Sequence, residues 1–311
     1  MSRPGPVGKS SRRPGCRRQG RGGEGCHEVR QPNGQSAPGK AASVPPLVVT
    51  DVSKIYTVRG RGRGKFIAAD HVSFTIPPAS AIGLVGASGS GKSTLAKMIT
   101  GSERPTSGSI KFGDVAVERL SAGGLRRYHS RVQMVFQDPY AALNPLHTVA
   151  YHITRPLQNF LGMSASRASE RVHELLETVG LTPAAQYAGK LPHQLSGGQR
   201  QRVVIARALA CDPELMVADE PVSMLDVSLR AGVLRLLADL RAKRGLSLLY
   251  ITHDLLGARV ITDEILVLHK GRVVEKGPTK HVLQHPKHEY TTQLLDAIAT
   301  PFATDGAATT H

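Results

Sequence analysis

The stretch Gly86-Ala87-Ser88-Gly89-Ser90-Gly91-Lys92-Ser93 decides the fold of this chain. It follows the apolar run 81–85 and leads into residues 94–99, which have the pattern of a helix. A glycine-rich turn between a buried strand and a helix is the context that a phosphate-binding P-loop requires. Glycines let successive backbone N–H groups point inward, and the helix N-terminus adds the positive end of its dipole. The stretch therefore predicts a nucleotide-binding site.

Two side chains at the end of this stretch have predicted roles of their own. Lys92 supplies a point charge for the β- and γ-phosphates, and the hydroxyl of Ser93 can ligate Mg²⁺. The other positions predicted to contact the nucleotide are Gly86, Ala87, Ser88, Gly89, Ser90, Gly91 and Thr94.

Composition bounds the class of protein. A chain of 311 residues can bury a substantial core, and 40% hydrophobic with 21% charged residues is typical of a soluble globular protein. No apolar run is long enough to span a bilayer, and we interpret the N-terminus as lacking the apolar segment of a signal peptide. The three cysteines, Cys16, Cys26 and Cys211, have no metal-like spacing. We interpret them as reduced thiols in a cytosolic protein.

Residues 1–46 form a predicted disordered basic tail, because they are rich in Gly, Pro, Ser and Arg and cannot bury apolar surface. The tail holds nine basic and two acidic residues, which is +7 of the net charge of +16. Such a tail could bind nucleic acid or anionic lipid. It has no aromatic residues for base stacking, so we favour a solvated tail or a true start downstream of Met1. Residues 300–311 are likewise predicted to be a flexible tail.

The rest of the chain alternates strands with helices, which favours a mostly parallel sheet covered on both faces, preceded by a β-subdomain. A basic loop at 59–65 resembles an RNA-binding RGG element, but we favour a solvated hairpin connection. The predicted strands are 47–52, 66–68, 72–76, 81–85, 108–112, 131–136, 215–218, 246–251, 264–269 and 272–274. Predicted helices are 94–99, 197–209, 228–244, 280–284 and 290–298, and helical periodicity from 148 to about 180 indicates an inserted helical subdomain.

Polar residues follow three of the predicted core strands. Asp219-Glu220 ends an apolar strand, where one carboxylate can hold hydrated Mg²⁺ and the next can polarise the attacking water. His253 and Gln137 also end strands, at the sheet edge where ligands of open α/β sheets gather. Taken alone, a strand-end Asp-Glu is often a cap and a lone His is usually structural. Beside a P-loop, they predict a catalytic centre.

A second anion site is predicted at Leu195-Ser196-Gly197-Gly198-Gln199-Arg200-Gln201-Arg202, where a small hydroxyl and two glycines open a helix. One chain needs only one cradle for a γ-phosphate. A second cradle makes sense if it serves the nucleotide of another subunit.

In the identity and order of these motifs, the chain resembles the nucleotide-binding subunits of ATP-binding cassette (ABC) transporters over residues 47–299. The segment Ser223–Asp226, which matches the D-loop of that family, differs from the family pattern at Met224, where Ala is usual. Just before it, Val222 replaces the usual Thr. The matching motifs are Tyr56 for the aromatic that stacks on adenine, Gly86–Ser93 for Walker A, Gln137 for the Q-loop, Leu195–Gln199 for the signature motif, Met216–Glu220 for Walker B with its catalytic glutamate, Ser223–Asp226 for the D-loop, and His253 for the switch histidine. The resemblance implies an α/β P-loop NTPase cassette with a RecA-like core, an N-terminal antiparallel β-subdomain and an inserted α-helical subdomain at about 140–205.

Three features resemble the oligopeptide/dipeptide importer branch of that family. They are the Q-loop stretch 135–145, the long basic loop after Tyr56, and the ending 285–295, which departs from the usual His-Pro-Tyr-Thr spacing. The implied layout is an ABC nucleotide-binding domain at 47–277 and an importer-type extension at 278–299. The branch also includes nickel and oligosaccharide importers, so the cargo stays open. This chain has no C-terminal cysteine cluster, so we expect no iron–sulfur centre.

The resemblance also implies a mechanism, in which two cassettes close head to tail around two Mg-ATP. Lys92 holds the phosphates, Ser93 and Gln137 ligate Mg²⁺, and Asp219 holds the ion through water. Glu220 orients or deprotonates the attacking water, and His253 senses the γ-phosphate. The residues implied to face the partner's nucleotide are Ser196, Gly197, Gly198, Gln199 and Asp226.

Implied partners are a second cassette, identical or different, two transmembrane permease subunits and, through them, an extracytoplasmic solute-binding protein. The implied location is the cytoplasmic face of the membrane. A soluble ABC protein acting on nucleic acid is a disfavoured alternative, because such proteins usually carry tandem cassettes, a coiled coil or zinc inserts. An exporter cassette lacks support from the Q-loop stretch.

Overall fold

The computed structural model of the chain describes residues 44–58 and 64–299, so predictions for 1–43, 59–63 and 300–311 lie outside the described residues. In the described part, no helix combines the length and the hydropathy needed to cross a membrane. The strands are β1 (Leu47–Val58), β2 (Gly64–Ile76), β3 (Ala81–Val85), β4 (Ser107–Phe112), β5 (Val115–Ala116), β6 (Val132–Val135), β7 (Leu215–Asp219), β8 (Ser247–Thr252), β9 (Glu264–His269) and β10 (Arg272–Pro278). The helices are α1 (Lys92–Ile99), α2 (Ala122–Arg131), α3 (Pro139–Ala142), α4 (Val149–Leu161), α5 (Ala165–Thr178), α6 (Ala184–Ala188), α7 (Gly197–Leu209), α8 (Val227–Arg244), α9 (Leu255–Ile261), α10 (Thr279–Gln284) and α11 (Glu289–Ala299).

A six-stranded sheet in the order β10-β9-β3-β8-β7-β6 places the functional loops. Its neighbouring strands are parallel, except that β10 is antiparallel to β9. Because the carboxyl ends of parallel strands meet at one edge, the loops after β3, β6, β7 and β8 converge there. These are the loops that carry the predicted site residues.

Both faces of this sheet are buried, which explains its continuous apolar strands. In β8, Leu248 and Tyr250 belong to a core shared with α5 and α7, whereas Leu249 and Ile251 belong to a core shared with α1 and with β1, β2 and β4. Successive side chains of a strand point to opposite faces, so one apolar run serves two cores. The alternation fixes the register of the central strands.

The second sheet has the order β2-β1-β4-β5, and all of its strand pairs are antiparallel. The prediction of two short strands at 66–68 and 72–76 was wrong, since one strand, β2, covers both. The polar pair Asp70-His71 interrupts the sequence pattern, but the pairing of β1 with β2 passes it through shifts in register. The N–H of His71 donates to the hydroxyl of Ser53 (3.0 Å) at this irregularity.

The helical region contains α3 to α7, and the predicted helical stretch 148–180 is divided between α4 and α5 by Gly162 in the left-handed conformation (φ 63°). Outside this region, two helices were missed, α2 and α9. Helix α2 begins Ala-Gly-Gly and has few apolar residues, yet Tyr128 anchors it in the core. Helix α9 is capped by the carboxylate of Asp254, which accepts from Leu256 and Gly257.

The sequence predicted that folded structure begins at Leu47, but residues 44–46 already contact the core. The side chain of Val44 is buried, and the carbonyl of Pro46 accepts from the N–H of Gly113 at 3.0 Å. No local pattern indicates this contact, because the partner of Pro46 lies 67 residues further along the chain. The predicted fold class, an α/β core with an antiparallel β-subdomain and a helical subdomain, is confirmed.

Candidate functional site

The phosphate loop is folded tightly against its neighbours. Gly91 has φ 107°, and a Cβ atom built there would lie 2.0 Å from the carbonyl oxygen of Ala68. Only glycine fits this position. Because α1 begins at the next residue and Gly91 has no side chain to cap it, the first backbone N–H groups of α1 are free to bind an anion.

Lys92 is the cation of this loop, and only 5% of it is exposed. Its ammonium donates to the carbonyls of Gly86 (2.8 Å) and Ala87 (2.9 Å). Burial lowers the pKa of Lys92, while Glu220 and Asp219 act in the opposite direction. The ammonium is thus partly stripped of water and held by groups of its own loop, an arrangement that suits binding of a polyphosphate.

Asp219 is the last residue of β7 and is 8% exposed. Burial raises the pKa of its carboxyl group, and a hydrogen bond with the Ser93 hydroxyl counteracts part of that rise. The negative charge of Glu220 raises the pKa further. A buried carboxylate beside a serine hydroxyl forms an oxygen-donor pair of the kind that Mg²⁺ prefers.

Glu220 has a left-handed backbone conformation (φ 45°), which is uncommon for a residue other than glycine. Its N–H donates to the carbonyl of Ile251 at 2.8 Å, which ties it to the neighbouring strand β8. One carboxylate oxygen lies 3.1 Å from Nδ1 of His253, and the other accepts from Nε2 of Gln137 at 3.1 Å. Three separate loops therefore meet at one carboxylate.

These groups surround a cavity of about 670 Å³ at the carboxyl edge of the parallel strands. The structure brings nine of the nineteen predicted site residues to this cavity, and those on the loops after β6, β7 and β8 meet there because these strands end at one edge of the sheet. The lining residues are Phe66, Ala68, Ser88, Gly89, Gly91, Lys92, Ser93, Thr94, Gln137, Glu220 and His253.

Some predicted residues lie next to this cavity without lining it. Gly86, Ala87 and Ser90 belong to the loop but are not among the lining residues, and the hydroxyl of Ser90 is buried. Asp219 reaches the site through Ser93, and with Gln137 it lines a neighbouring cavity of about 500 Å³.

Tyr56 also does not line the cavity. Its hydroxyl donates to the carboxylate of Glu103, and its ring lies under the ammonium of Lys54. Its cross-strand partner Phe66 does line the cavity, with 50% of the residue exposed. Sequence reasoning missed Phe66, since it belongs to no motif, and only its pairing with Tyr56 could have indicated it.

The signature stretch forms the start of α7, away from the cavity lining. The hydroxyl of Ser196 accepts from the N–H of Gln199 (3.3 Å), and the Gln199 side chain accepts from the N–H of Ser196 (3.0 Å). This reciprocal pair is a capping box. Gly198 packs against Leu229 of α8, and Asp226 precedes that helix. Ser196 and Asp226 are exposed, so both can reach a second molecule.

Comparisons with known proteins agree with this geometry. A sequence profile of the ABC transporter family matches residues 69–223. The oligopeptide transport ATP-binding protein OppF of Lactococcus lactis subsp. lactis is 43% identical over 258 residues, which are 81% of this chain and 80% of that protein. A putative peptide import ATP-binding protein of Brucella abortus is 46% identical over 247 residues, 79% of this chain and 73% of that protein.

A solved structure resembles the fold as well. It is a dimeric ATP-binding cassette in a post-hydrolysis state bound to ADP and Pi, with a TM-score of 0.68 and 30% sequence identity. The match covers 75% of this chain and 98% of that one.

Proposed function

The chain belongs to the ABC transporter family, and from this premise we propose that it binds and hydrolyses ATP to drive peptide import through separate permease subunits. The observation that carries the proposal is the meeting of Lys92, Gln137, Glu220 and His253 at one cavity beside a phosphate loop. The relatives named for oligopeptide and peptide import support peptides as the cargo.

The donor set fits Mg-ATP. Phosphate oxygens would meet the N–H groups at the start of α1 and the ammonium of Lys92. The Ser93 hydroxyl, the Asp219 carboxylate and the Gln137 amide oxygen are the groups that would hold Mg²⁺. Bound Mg²⁺ would neutralise charge on the β- and γ-phosphates.

The chain's own residues account for the hydrolytic step. Glu220 orients the attacking water and accepts its proton, and contacts from Gln137 and His253 fix the direction of its carboxylate. Lys92 supplies positive charge where negative charge develops, in a buried position where that charge acts strongly. His253 is exposed and contacts the carboxylate oxygen that Gln137 does not, and in this proposal it senses the γ-phosphate.

A second cassette completes each site in this proposal. Ser196 and Gly198 of one chain would contact the γ-phosphate held by the other chain, and Asp226 would lie at the contact. Met224 and Val227 flank Asp226 and are 57% and 79% exposed, which suits a surface that a partner covers. The dimeric state of the related cassette supports the same arrangement.

The permeases would dock in a cavity of about 390 Å³ beside the Q-loop. Its walls come from α2, β6 and α4, and they include Phe136, Arg155 and Phe160. Phe136 is half exposed and immediately precedes Gln137, so an occupant would be coupled directly to the nucleotide site. The solute-binding protein would meet the permeases outside the cell, and this chain would lie at the cytoplasmic face of the membrane.

Peptide uptake by intact cells tests the proposal. Cells lacking the gene should fail to accumulate a radiolabelled tripeptide, and the wild-type gene should restore uptake. Lys92→Ala should not restore it, whereas Glu177→Gln, which changes an exposed carboxylate on α5, should restore it fully. Normal tripeptide uptake in the Lys92→Ala strain would overturn the proposal.

A further inference from the structure

The peptide group between Gly86 and Ala87 is held on both edges. Its carbonyl accepts from the ammonium of Lys92 at 2.8 Å. Its N–H, which points the opposite way in a trans peptide, donates to the hydroxyl of Tyr290 at 2.9 Å. A residue 203 positions away thus fixes the plane of the peptide against which Lys92 rests.

Tyr290 is itself held in place. Its ring lies against that of His269, the last residue of β9, with centroids 3.8 Å apart. Its N–H donates to Nδ1 of His288 at 3.1 Å. The hydroxyl can therefore act as a fixed acceptor for the phosphate loop.

The segment that carries Tyr290 is anchored to the sheet. Glu275 of β10 accepts from the N–H groups of Lys287 (2.9 Å) and His288 (3.1 Å), just before α11. The turn between β9 and β10 also supports the loop, since the N–H of Gly271 donates to the carbonyl of Ser90 at 2.9 Å. Two parts of the C-terminal region therefore hold the backbone of the phosphate loop by hydrogen bonds.

We propose that Tyr290 is a positioning residue for ATP binding: its hydroxyl orients the Gly86–Ala87 peptide and so places the ammonium of Lys92. This inference rests on the proposed binding of ATP by the loop. Tyr290 does not line the cavity, so its effect is carried by the peptide and not by direct contact. A loop held in its binding geometry avoids part of the ordering cost of binding, so the hydroxyl should raise nucleotide affinity without changing the chemical step.

Tyr290→Phe separates the role of the hydroxyl from that of the ring, because phenylalanine can keep the ring contact with His269. We expect the Kd for ADP and the KM for ATP to rise roughly two- to ten-fold, the usual range for one hydrogen bond. The kcat should stay at its wild-type value, and the Tm should fall by no more than about 4 °C, the cost of one hydrogen bond. Amide hydrogen exchange in a peptide spanning residues 81–95 should become faster, because Ala87 loses its acceptor.

The matched control is Tyr187→Phe, which removes a hydroxyl from α6 while leaving the ring beside Lys190. It should change none of these quantities. Unchanged ADP affinity and unchanged exchange in Tyr290→Phe would overturn the inference. A fall in kcat together with a larger loss of Tm would also overturn it, because that pattern indicates a merely structural role. If the wild-type full chain fails to bind ADP, the proposed function fails first, and the inference with it.

Discussion

The carboxylate of Glu220 lies 3.1 Å from Nδ1 of His253, across the gap between the ends of two neighbouring parallel strands. Its second oxygen accepts from Gln137, which follows the next strand along. The carboxylate is therefore oriented by both of its neighbours, and its left-handed backbone conformation is held by the tie to Ile251. A base fixed in this way needs little reorganisation during reaction.

Glu220→Gln keeps the shape of the side chain and removes its ability to accept a proton. We expect ATP affinity to remain within about two-fold, whereas kcat should fall by roughly 10² to 10⁴, the usual contribution of a general base. Since ATP would persist, the closed dimer should accumulate, and light scattering with Mg-ATP should detect it. Hydrolysis is measured in the assembled transporter, because an isolated cassette can be inactive for lack of its partners.

The control for this variant is Glu177→Gln, an exposed carboxylate on α5 that should leave kcat unchanged. Turnover at the wild-type rate in Glu220→Gln would remove Glu220 from the role of base.

Phe66→Ala should weaken ATP binding by about 1–3 kcal/mol, the usual value of a base stacked on an aromatic ring. The half-exposed ring at the cavity motivates this expectation. Tyr56→Ala tests the sequence-based prediction for Tyr56 in the same way. Tripolyphosphate, which has no base, serves as the control ligand, and its affinity should not change in either variant. Equal losses for ATP and tripolyphosphate would show that the ring supports the phosphate loop instead of the base.

The catalytic edge could be predicted from sequence because local patterns fix it. Each buried strand is visible in the sequence as an apolar run. The residue after the run lies at the same edge of the sheet as the residues that follow the neighbouring parallel strands. Asp219, Glu220 and His253 were found by this argument. The strand order β10-β9-β3-β8-β7-β6 was not, since non-local pairing leaves no local pattern.

Two site residues were missed because their contacts are also non-local. Phe66 reaches the cavity through cross-strand pairing with Tyr56, and Tyr290 reaches Ala87 through the docking of a C-terminal segment. Helix α2 was missed for a different reason: its two glycines have low helix propensity, which the burial of Tyr128 outweighs.

Asp219→Asn should stabilise the fold while abolishing Mg²⁺-dependent hydrolysis. Burial raises the pKa of Asp219 in the folded state, so the ionised carboxylate is less favourable there than in the unfolded chain. Above the folded-state pKa, the variant should gain about 1 kcal/mol in the free energy of unfolding. The gain should shrink as pH falls through the folded-state pKa, and vanish below the ordinary value of 3.8, where both states are protonated.

Urea denaturation at several pH values measures this gain. Asp239→Asn, an exposed position on α8, is the control and should change the free energy of unfolding at no pH. A less stable Asp219→Asn variant at pH 7.5 would contradict the expectation.

Mixing two inactive variants tests whether each site is shared between chains. In a head-to-tail dimer, Lys92→Ala and Ser196→Ala affect opposite halves of a site, so a mixed dimer has one site with both changes and one site with neither. Random mixing makes about half of the dimers mixed, so hydrolysis should recover to about a quarter of wild type. Ser196→Ala also loses its helix cap, which costs about 1 kcal/mol, so its Tm is checked first.

Lys92→Ala mixed with Glu220→Gln is the matched control. Both changes lie in the same half of a site, so no mixed dimer has an intact site and no activity should return. Failure of the first mixture to recover, with both variants folded, would mean that Ser196 does not complete the partner's site.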